Sequence, residues 1–233
     1  MTQSVIIACD FPSGQECIKF LDRFSGDPLF VKVGMELFYA EGPSIVEAIK
    51  KRGHKIFLDL KLHDIPHTVE KAMARLRNMG VDMVNVHAAG GKEMMEAALR
   101  GLCDAQGKHP YLLAVTQLTS TSQQMMKEEL LIPSPLEEVV ARYAKNAKDA
   151  GLDGVICSPL ESQTVHSHCG SSFLTVTPGI RFPEGDRQDQ KRVTSPEMAK
   201  ELGSDFIVMG RAITQSSDPE AAYHRAVKEF CEK

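Results

Sequence analysis

Charged side chains crowd one short segment of this chain. Asp59, Lys61 and Asp64 fall within FLDLKLHDIPHT, residues 57–68, which begins as an apolar run typical of a buried β-strand. Because Asp59 and Lys61 are two residues apart, we expect both side chains on one face of that strand. Charges held there lose part of their hydration and need partners of opposite sign. Ammonium and carboxylate groups fixed in this way can stabilise a developing charge or transfer a proton.

A second lysine lies in an equally apolar setting. Lys32 interrupts the run LFVKVG, residues 29–34, inside another predicted strand. Other polar or conformationally special residues also follow apolar runs: Asp10, His87, Thr116 to Thr119, Pro178, Arg181, Gly210 and Arg211. Taken singly, each of these has an alternative interpretation as a helix cap or a solvated loop residue. Lys32, Asp59 and Lys61 fit that interpretation least, because apolar residues surround them.

Short apolar runs recur eight times along the sequence. They are SVIIACD, LFVKVG, KIFLDLK, DMVNVHA, YLLAVTQ, DGVICS, FLTVTPG and DFIVMG. Their hydrophobicity is continuous rather than alternating, which indicates strands buried on both faces, as in a parallel sheet covered by helices.

Amphipathic segments separate these runs. Segments such as HTVEKAMARLRNMG and SPLEEVVARYAKNAKDAG have apolar residues at helical spacing, and several end in glycine, a common helix stop. Eight βα units without a linker or low-complexity segment predict an α/β fold, a single (β/α)8 barrel domain spanning residues 1–233. A doubly wound open sheet is the alternative, which the count of eight disfavours. In a barrel the polar residues named above would meet at the C-terminal ends of the strands.

Composition narrows the classes of function. The net charge of −4 gives no general basic surface and argues against nucleic-acid binding. Six cysteines without a CxxC pair argue against a disulfide framework or zinc knuckle and for a reducing compartment, by default the cytoplasm. The N-terminal segment MTQSVIIACDFPSG lacks a basic region, and no later run approaches the roughly 18 apolar residues of a membrane span. We therefore expect neither export nor membrane insertion.

A phosphate site is predicted at the end of the eighth strand, where barrels frequently bind phosphate. Gly210 would let the backbone approach closely, and Arg211 would offer a forked donor. In the alternative interpretation Gly210 turns the chain and Arg211 is solvated. The preceding loop, residues 179–195, is long and polar, as is typical of a mobile lid. The sequence has no Walker motif, and no GxGxxG follows the first strand. A nucleoside triphosphate or a dinucleotide is therefore not supported as ligand.

Taken together, these motifs resemble one enzyme family. Five segments carry the resemblance: DLKLHDIPHT, KVG with Lys32, LTS at Leu118 to Ser120, TPGIR at Thr177 to Arg181, and GRAI at Gly210 to Ile213. They are similar to orotidine 5'-phosphate decarboxylase of the bacterial type, from the first strand to the last. A related sugar-phosphate branch, which includes hexulose-phosphate synthase and ketogulonate-phosphate decarboxylase, shares the DxKxxD stretch. That branch binds magnesium and has a glutamate where this chain has Lys32.

The resemblance implies removal of carbon dioxide from orotidine 5'-monophosphate, yielding UMP, without a cofactor or metal. Loss of the carboxylate leaves a carbanion at C6 whose lone pair lies in the ring plane, so a nearby cation is needed. Lys61 is implied as that cation and as the proton donor to C6. Lys32, Asp59, Lys61 and Asp64 are implied to form an alternating charge array. Asp59 would lie beside the departing carboxylate, and Asp64 would come from the partner subunit of a homodimer.

The same resemblance implies which residues bind the nucleotide. Asp10 and Lys32 would contact ribose hydroxyls, and Thr119 would bind the pyrimidine edge. The other implied ligands are Ile65, Thr68, Pro178, Arg181, Gln190, Gly210 and Arg211. Closure of the lid would exclude water and use phosphate-binding energy to organise the charged site.

Alternative interpretations stay open at this point. His63 and His67, four residues apart, would suit a metal if they lay on a helix, but the strand is only ending there. A loop position for His63 and a helix start after Pro66 are favoured. The alternative functions are a magnesium-dependent sugar-phosphate lyase of the related branch and a barrel that binds a phosphorylated ligand without catalysis.

Overall fold

The structure, a computed structural model, describes residues 3–26, 28–184 and 194–232. Within these ranges eight parallel strands pair in chain order, and the eighth closes on the first. The strands are β1 Ser4–Ala8, β2 Phe30–Gly34, β3 Lys55–Leu62, β4 Met83–His87, β5 Tyr111–Val115, β6 Gly154–Ile156, β7 Leu174–Thr177 and β8 Phe206–Met209. Each lies in one of the eight predicted apolar runs, except that β3 extends one residue beyond its run, to Leu62. The predicted (β/α)8 barrel is therefore confirmed, and the open-sheet alternative is excluded.

Helices follow the strands and cover the outside of the barrel. They are α1 Gly14–Leu21, α2 Met35–Glu41, α3 Pro43–Lys50, α4 Pro66–Arg77, α5 Gly91–Leu102, α6 Gln123–Glu128, α7 Leu136–Asp149, α8 Ser162–Cys169, α9 Pro196–Glu201, α10 Arg211–Thr214 and α11 Pro219–Cys231. Short 3-10 turns at Ala88–Gly90 and Pro159–Glu161 precede α5 and α8. Among the described helices, none combines the length and hydropathy that crossing a bilayer requires.

The barrel interior is apolar at its N-terminal end and polar at its C-terminal end. Buried side chains that fill the N-terminal part include Phe30, Phe57, Met83, Leu174 and Phe206. Side chains alternate across a strand, so the residue two positions further along also points inward. On β2, β3 and β4 those next inward positions are Lys32, Asp59 and Asn85. The apolar layer therefore forms the floor beneath a polar layer at the end where the βα loops begin.

At the N-terminal end of the barrel three aspartates, Asp82, Asp153 and Asp205, make equivalent hydrogen bonds. Each precedes an even-numbered strand, and its carboxylate accepts a backbone N–H from the preceding odd-numbered strand at 2.7 to 2.8 Å. A lysine or histidine side chain lies within 4 Å of each carboxylate. These contacts satisfy N–H groups where the strand ladder begins, so they fix the strands on which the polar layer depends.

Candidate active site

Strands β2 and β3 bring the two predicted lysines to one aspartate. Lys61 Nζ donates to Asp59 Oδ1 at 2.6 Å, and Lys32 Nζ lies 3.5 Å from Asp59 Oδ2. Lys32 Nζ also donates to Asp10 Oδ1 at 2.9 Å. Positive and negative groups thus alternate along Asp10, Lys32, Asp59 and Lys61, which we call the charged row. Each ammonium group faces a carboxylate, which is the pairing that desolvated charges need.

Burial and mutual attraction oppose each other in the charged row. Burial alone would lower the pKa of the Lys32 ammonium, but the charges of Asp59 and Asp10 outweigh it, so this pKa is raised. Burial would likewise raise the pKa of the Asp59 carboxyl, but the charges of Lys32 and Lys61 outweigh it. Hydrogen bonds from Lys61 and Asn85 act in the same direction, so the pKa of Asp59 is lowered. Lys32 and Asp59 are therefore both charged at neutral pH.

Lys61 reaches Asp59 through a β-bulge rather than through regular strand spacing. The pairing of β3 with β4 is regular up to Leu58 and resumes at Leu62. Between these points the residues from Asp59 to Lys61 lie opposite Asn85 alone. Lys61 has a φ of 51°, in the left-handed region that residues other than glycine rarely adopt. The two side chains meet as predicted, but the bulge and this unusual backbone conformation bring them together.

Asn85 is the residue of this site that the sequence reasoning missed. Its side chain is buried, its Nδ2 donates to Asp59 Oδ1 at 2.7 Å, and its Oδ1 accepts the Lys61 N–H at 2.8 Å. A signal was present, because Asn85 is a polar residue inside the apolar run DMVNVHA. The criterion of a polar residue at a strand end selects His87 in this run instead.

Two adjoining cavities open at this end of the barrel. The smaller cavity has a volume of about 180 Å³. Its wall is largely apolar and includes Lys61 of the charged row. Its other lining residues include Phe57, Val115, Gln117, Thr119, Ile156 and Val208. The larger has a volume of about 590 Å³ and is lined by charged and polar groups that include Asp10, Glu16, Arg181, Gly210, Arg211 and Gln215. Lys32, Pro178 and Val208 line both cavities, so the two cavities together can hold one ligand with a flat apolar part and a polar part.

Two guanidinium groups make the larger cavity suitable for an anion. Arg181 is almost fully buried, with one nitrogen donating to the carbonyl oxygen of Ile180 at 3.0 Å. Arg211 begins α10, immediately after β8 and Gly210. A Cβ atom on Gly210 would contact Ala8 at 3.5 Å, an ordinary packing distance. The missing side chain thus leaves space for the cavity rather than relieving a clash, and phosphate is the anion that paired arginines suit well.

The sequence as a whole matches a known family. The model of the orotidine 5'-phosphate decarboxylase / HUMPS family matches residues 3–226. The chain is 60% identical over 228 residues to orotidine 5'-phosphate decarboxylase of Bacillus pumilus strain SAFR-032, covering 97% of each chain. It is 58% identical over 226 residues to that of Bacillus cereus strain G9842, covering 96% of this chain and 95% of the relative. The chain belongs to the orotidine 5'-phosphate decarboxylase / HUMPS family.

Solved structures extend the family likeness to the fold. The crystal structure of an uncharacterized conserved protein from Geobacillus kaustophilus has a TM-score of 0.87 and 51% identity, covering 97% of this chain and 99% of that one. Orotidine 5'-phosphate decarboxylase from Lactobacillus acidophilus also has a TM-score of 0.87, with 46% identity, covering 98% of this chain and 99% of that one. The barrel of this chain is thus similar to these structures over nearly its full length.

Some residues assigned by family resemblance lie away from the cavities. Asp64, Ile65 and Thr68 are exposed, in the segment that leaves β3 and begins α4. Asp64 Oδ1 accepts the Ile65 N–H at 2.7 Å, and within the described ranges no ion pair links Asp64 to the charged row. Residues 185–193 of the predicted lid, which include Gln190, lie outside the described residues.

His63 and His67, the two histidines considered as metal ligands, lie in different elements. His63 lies in the loop after β3, and His67 lies in the first turn of α4, as the favoured interpretation predicts. The ring of His63 is 5.6 Å from that of His87. Burial, followed by the nearby His63 and Lys61, lowers the pKa of His87. Nowhere in the described part of the chain do three histidine, cysteine or acidic side chains group to hold an ion.

A further cavity, of about 740 Å³, opens at the N-terminal end of the barrel. Its lining includes Ser4, Lys55, Tyr111 and Phe206, and it contains no residue of the charged row. Cavity volume alone is therefore a poor guide to the candidate site. The paired charges, the left-handed Lys61 and the two arginines all lie at the other end.

Proposed function

We propose that this chain is an orotidine 5'-monophosphate decarboxylase that needs no cofactor, and that Lys61 is its central cation and proton donor. The observation that carries the proposal is the Lys61 ammonium group, 2.6 Å from Asp59 and exposed to a largely apolar cavity. Membership of the family, at 60% identity to a protein with that name, supports the substrate. The product, UMP, places the reaction in pyrimidine biosynthesis.

The two cavities suit the two halves of the nucleotide. The pyrimidine ring would occupy the smaller cavity, with Thr119 at its edge and Pro178 at the junction. The phosphate would lie in the larger cavity with Arg181 and Arg211, and the proposal adds Gln190 as a further ligand from the lid. Lys32 lines both cavities and pairs with Asp10, which lines the larger one, and the ribose hydroxyls would lie beside this pair. Ligands at both ends hold the reacting carbon in place without taking part in the chemistry.

In the reaction the bond between C6 and the carboxylate breaks, and its electron pair stays on C6. Carbon dioxide leaves, and the carbanion lies in the ring plane, where the ring's π system does not delocalise it. The Lys61 ammonium stabilises this charge and then transfers one proton to C6, giving UMP. The neutral Lys61 amine regains a proton from solvent. Because the ammonium is in place before the bond breaks, little reorganisation is needed in the transition state.

Asp59 and Lys32 serve this step by fixing the charge. Asp59 would lie beside the departing carboxylate and holds the Lys61 ammonium by direct hydrogen bond. The Lys32 ammonium lies beside the other carboxylate oxygen of Asp59, Oδ2. Its positive charge keeps the charged row close to neutral overall. The proposal does not depend on repulsion between Asp59 and the substrate carboxylate.

The proposed assembly is a homodimer in which Asp64 completes the partner's charged row. The exposed position of Asp64 supports this, since it is free of the row in its own barrel but only three residues from Lys61 in sequence. Ile65, next to Asp64 in sequence, is 66% exposed, and Tyr39 on α2 is 72% exposed; large exposed apolar side chains of this kind suit an interface. Residues 1–233 would form a single catalytic domain, and the free thiols support a cytoplasmic location.

A spectrophotometric assay tests the proposal. Purified protein is incubated with orotidine 5'-monophosphate, with and without EDTA, and loss of substrate absorbance and formation of UMP are followed. We expect equal rates in both conditions. The magnesium-dependent sugar-phosphate branch predicts no turnover of orotidine 5'-monophosphate in either condition. Turnover that is lost in EDTA would contradict the cofactor-free reaction. Binding of UMP without turnover would favour a non-catalytic barrel.

A further inference from the structure

The bulge in β3 removes a backbone group from the normal strand ladder. At Lys61 the N–H has no carbonyl of β4 in register, because β3 has extra residues between Leu58 and Leu62. The side chain of Asn85 takes the place of that carbonyl and accepts the N–H at 2.8 Å. Asn85 is 1% exposed, so water is a poor substitute there.

The other end of the same amide fixes the carboxylate of the charged row. Asn85 Nδ2 donates to Asp59 Oδ1 at 2.7 Å, and this oxygen also accepts from Lys61 Nζ at 2.6 Å. One side chain therefore holds both the backbone that carries the ammonium and the carboxylate that aims it. A displacement of either end would change the direction in which Lys61 points.

The chemistry of these contacts explains why an amide is needed. The Lys61 N–H can only donate, and the ionised Asp59 can only accept, so the orientation of the Asn85 amide is fixed. An aspartate at this position would keep the acceptor and lose the donor, and alanine would lose both. A left-handed Lys61 is a strained conformation that persists only where its surroundings enforce it.

We propose that Asn85 is a positioning residue, which holds the left-handed backbone of Lys61 and the carboxylate of Asp59 in the geometry that the chemical step requires. The inference rests on the proposed function, because decarboxylation is its kinetic readout. Asn85 touches neither cavity, so its effect should fall on turnover and not on nucleotide binding.

The experiment compares Asn85→Ala and Asn85→Asp with Thr175→Val. Thr175 is a matched control, since its buried hydroxyl also donates to a carboxylate, that of Asp205, but at the N-terminal end of the barrel. For Asn85→Ala we expect kcat to fall about 100-fold, the size of effect that misplacing a catalytic group produces. The dissociation constant of UMP should stay within about threefold of wild type, as for a residue that acts on the transition state alone. The control should match wild type in both measurements.

The pH profile of Asn85→Asp separates positioning from a general structural role. The introduced carboxyl would face Asp59 at hydrogen-bonding distance, and repulsion between the two carboxylates would raise the pKa of their shared proton, against the opposing charges of Lys61 and Lys32. While protonated, the new carboxyl can donate as the amide does. Turnover by this variant should therefore fall as pH rises through that pKa, a step that the neutral amide of Asn85 cannot produce. This variant also carries the test if Asn85→Ala does not fold.

A kcat for Asn85→Ala within threefold of the Thr175→Val control, or no new step in the Asn85→Asp profile, would overturn the inference. If wild type does not decarboxylate the substrate, the proposed function fails, and crystal structures of the variants decide the positioning role. Lys61 leaving the left-handed region and separating from Asp59 in those structures would support it. An unchanged Lys61 conformation would refute it.

Discussion

A Cβ atom on Gly34 would lie 3.0 Å from Asp10 Oδ1 and 3.1 Å from Lys32 Nζ, so a side chain at this position would displace both partners of this ion pair. Gly34 ends β2, two residues beyond Lys32, and its inward face opens onto the charged row. Its φ of −89° is ordinary, so alanine would fit the backbone. The requirement for glycine here is one of space and not of backbone conformation.

Gly34→Ala should therefore impair the site more than the fold. We expect kcat/KM to fall about tenfold, equivalent to about 1.4 kcal/mol, because Asp10 and Lys32 must each move by a few tenths of an ångström. The free energy of unfolding in urea should change by less than about 1 kcal/mol, because the atoms that must move are the ends of two flexible side chains. The matched control is Gly26→Ala, whose added Cβ would meet no atom within 4 Å. Equal activity of the two variants would show that the ion pair tolerates the displacement.

Arg211→Ala should weaken binding of the substrate's phosphate group. We expect kcat/KM for orotidine 5'-monophosphate to fall about 100-fold, the cost of removing one partner of a charge-assisted hydrogen bond in a binding site. Turnover of orotidine, which has no phosphate, should change little. The control is Arg100→Ala, which removes an exposed arginine paired with Glu70 on the outside of the barrel. Equal losses on both substrates would assign Arg211 to structure or chemistry instead.

Mixed dimers test the proposed sharing of Asp64. Lys61→Ala and Asp64→Ala subunits, unfolded and refolded together in equal amounts, would give one intact site per hybrid dimer. Random pairing makes about half of the dimers hybrid, so activity should return to about a quarter of the wild-type level under two-fold symmetry. Each mutant refolded alone is the control. A mixture no more active than the controls, with hybrids verified by mass spectrometry, would mean that Asp64 serves its own barrel.

The lowered pKa of Asp59 predicts a pH dependence of stability. A carboxyl whose pKa is lower in the folded chain stabilises the fold above its unfolded pKa of about 3.9, and this contribution is lost as pH falls through the folded value. Asp59→Asn removes this dependence. The difference in unfolding free energy between wild type and variant should thus shrink below about pH 4. Urea unfolding from pH 7 downward measures it, and a difference that stays constant would contradict the pKa shift.

Much of the barrel could be predicted because burial on both faces leaves a direct signal in sequence. All eight strands coincide with continuous apolar runs, and the glycines at positions 53, 80 and 151 end helical patterns with φ values of 81°, 69° and 85°. The lysines of the charged row were detectable for the same reason, since a charge inside an apolar run is conspicuous.

The local geometry of the site could not be predicted in this way. Hydrophobic periodicity predicts that Asp59 and Lys61 are near each other, but it contains no information on register. The bulge depends on how β3 pairs with β4, and Lys61 is not a residue type that indicates a positive φ. Asn85 accepts the Lys61 N–H only because of that bulge, so its role follows from the register of β3 and β4 and not from the sequence.

The most direct test of the account is the behaviour of Lys61→Ala. Turnover of orotidine 5'-monophosphate and calorimetric binding of UMP are measured side by side for wild type, Lys61→Ala and Lys55→Ala. Lys55 is the matched control, an exposed lysine at the other end of the same strand. The account predicts that Lys61→Ala folds and binds UMP but has a kcat reduced about 1,000-fold or more, while the control is unchanged. A Lys61→Ala variant that retains more than about a tenth of the wild-type kcat would contradict the role of Lys61 as cation and proton donor.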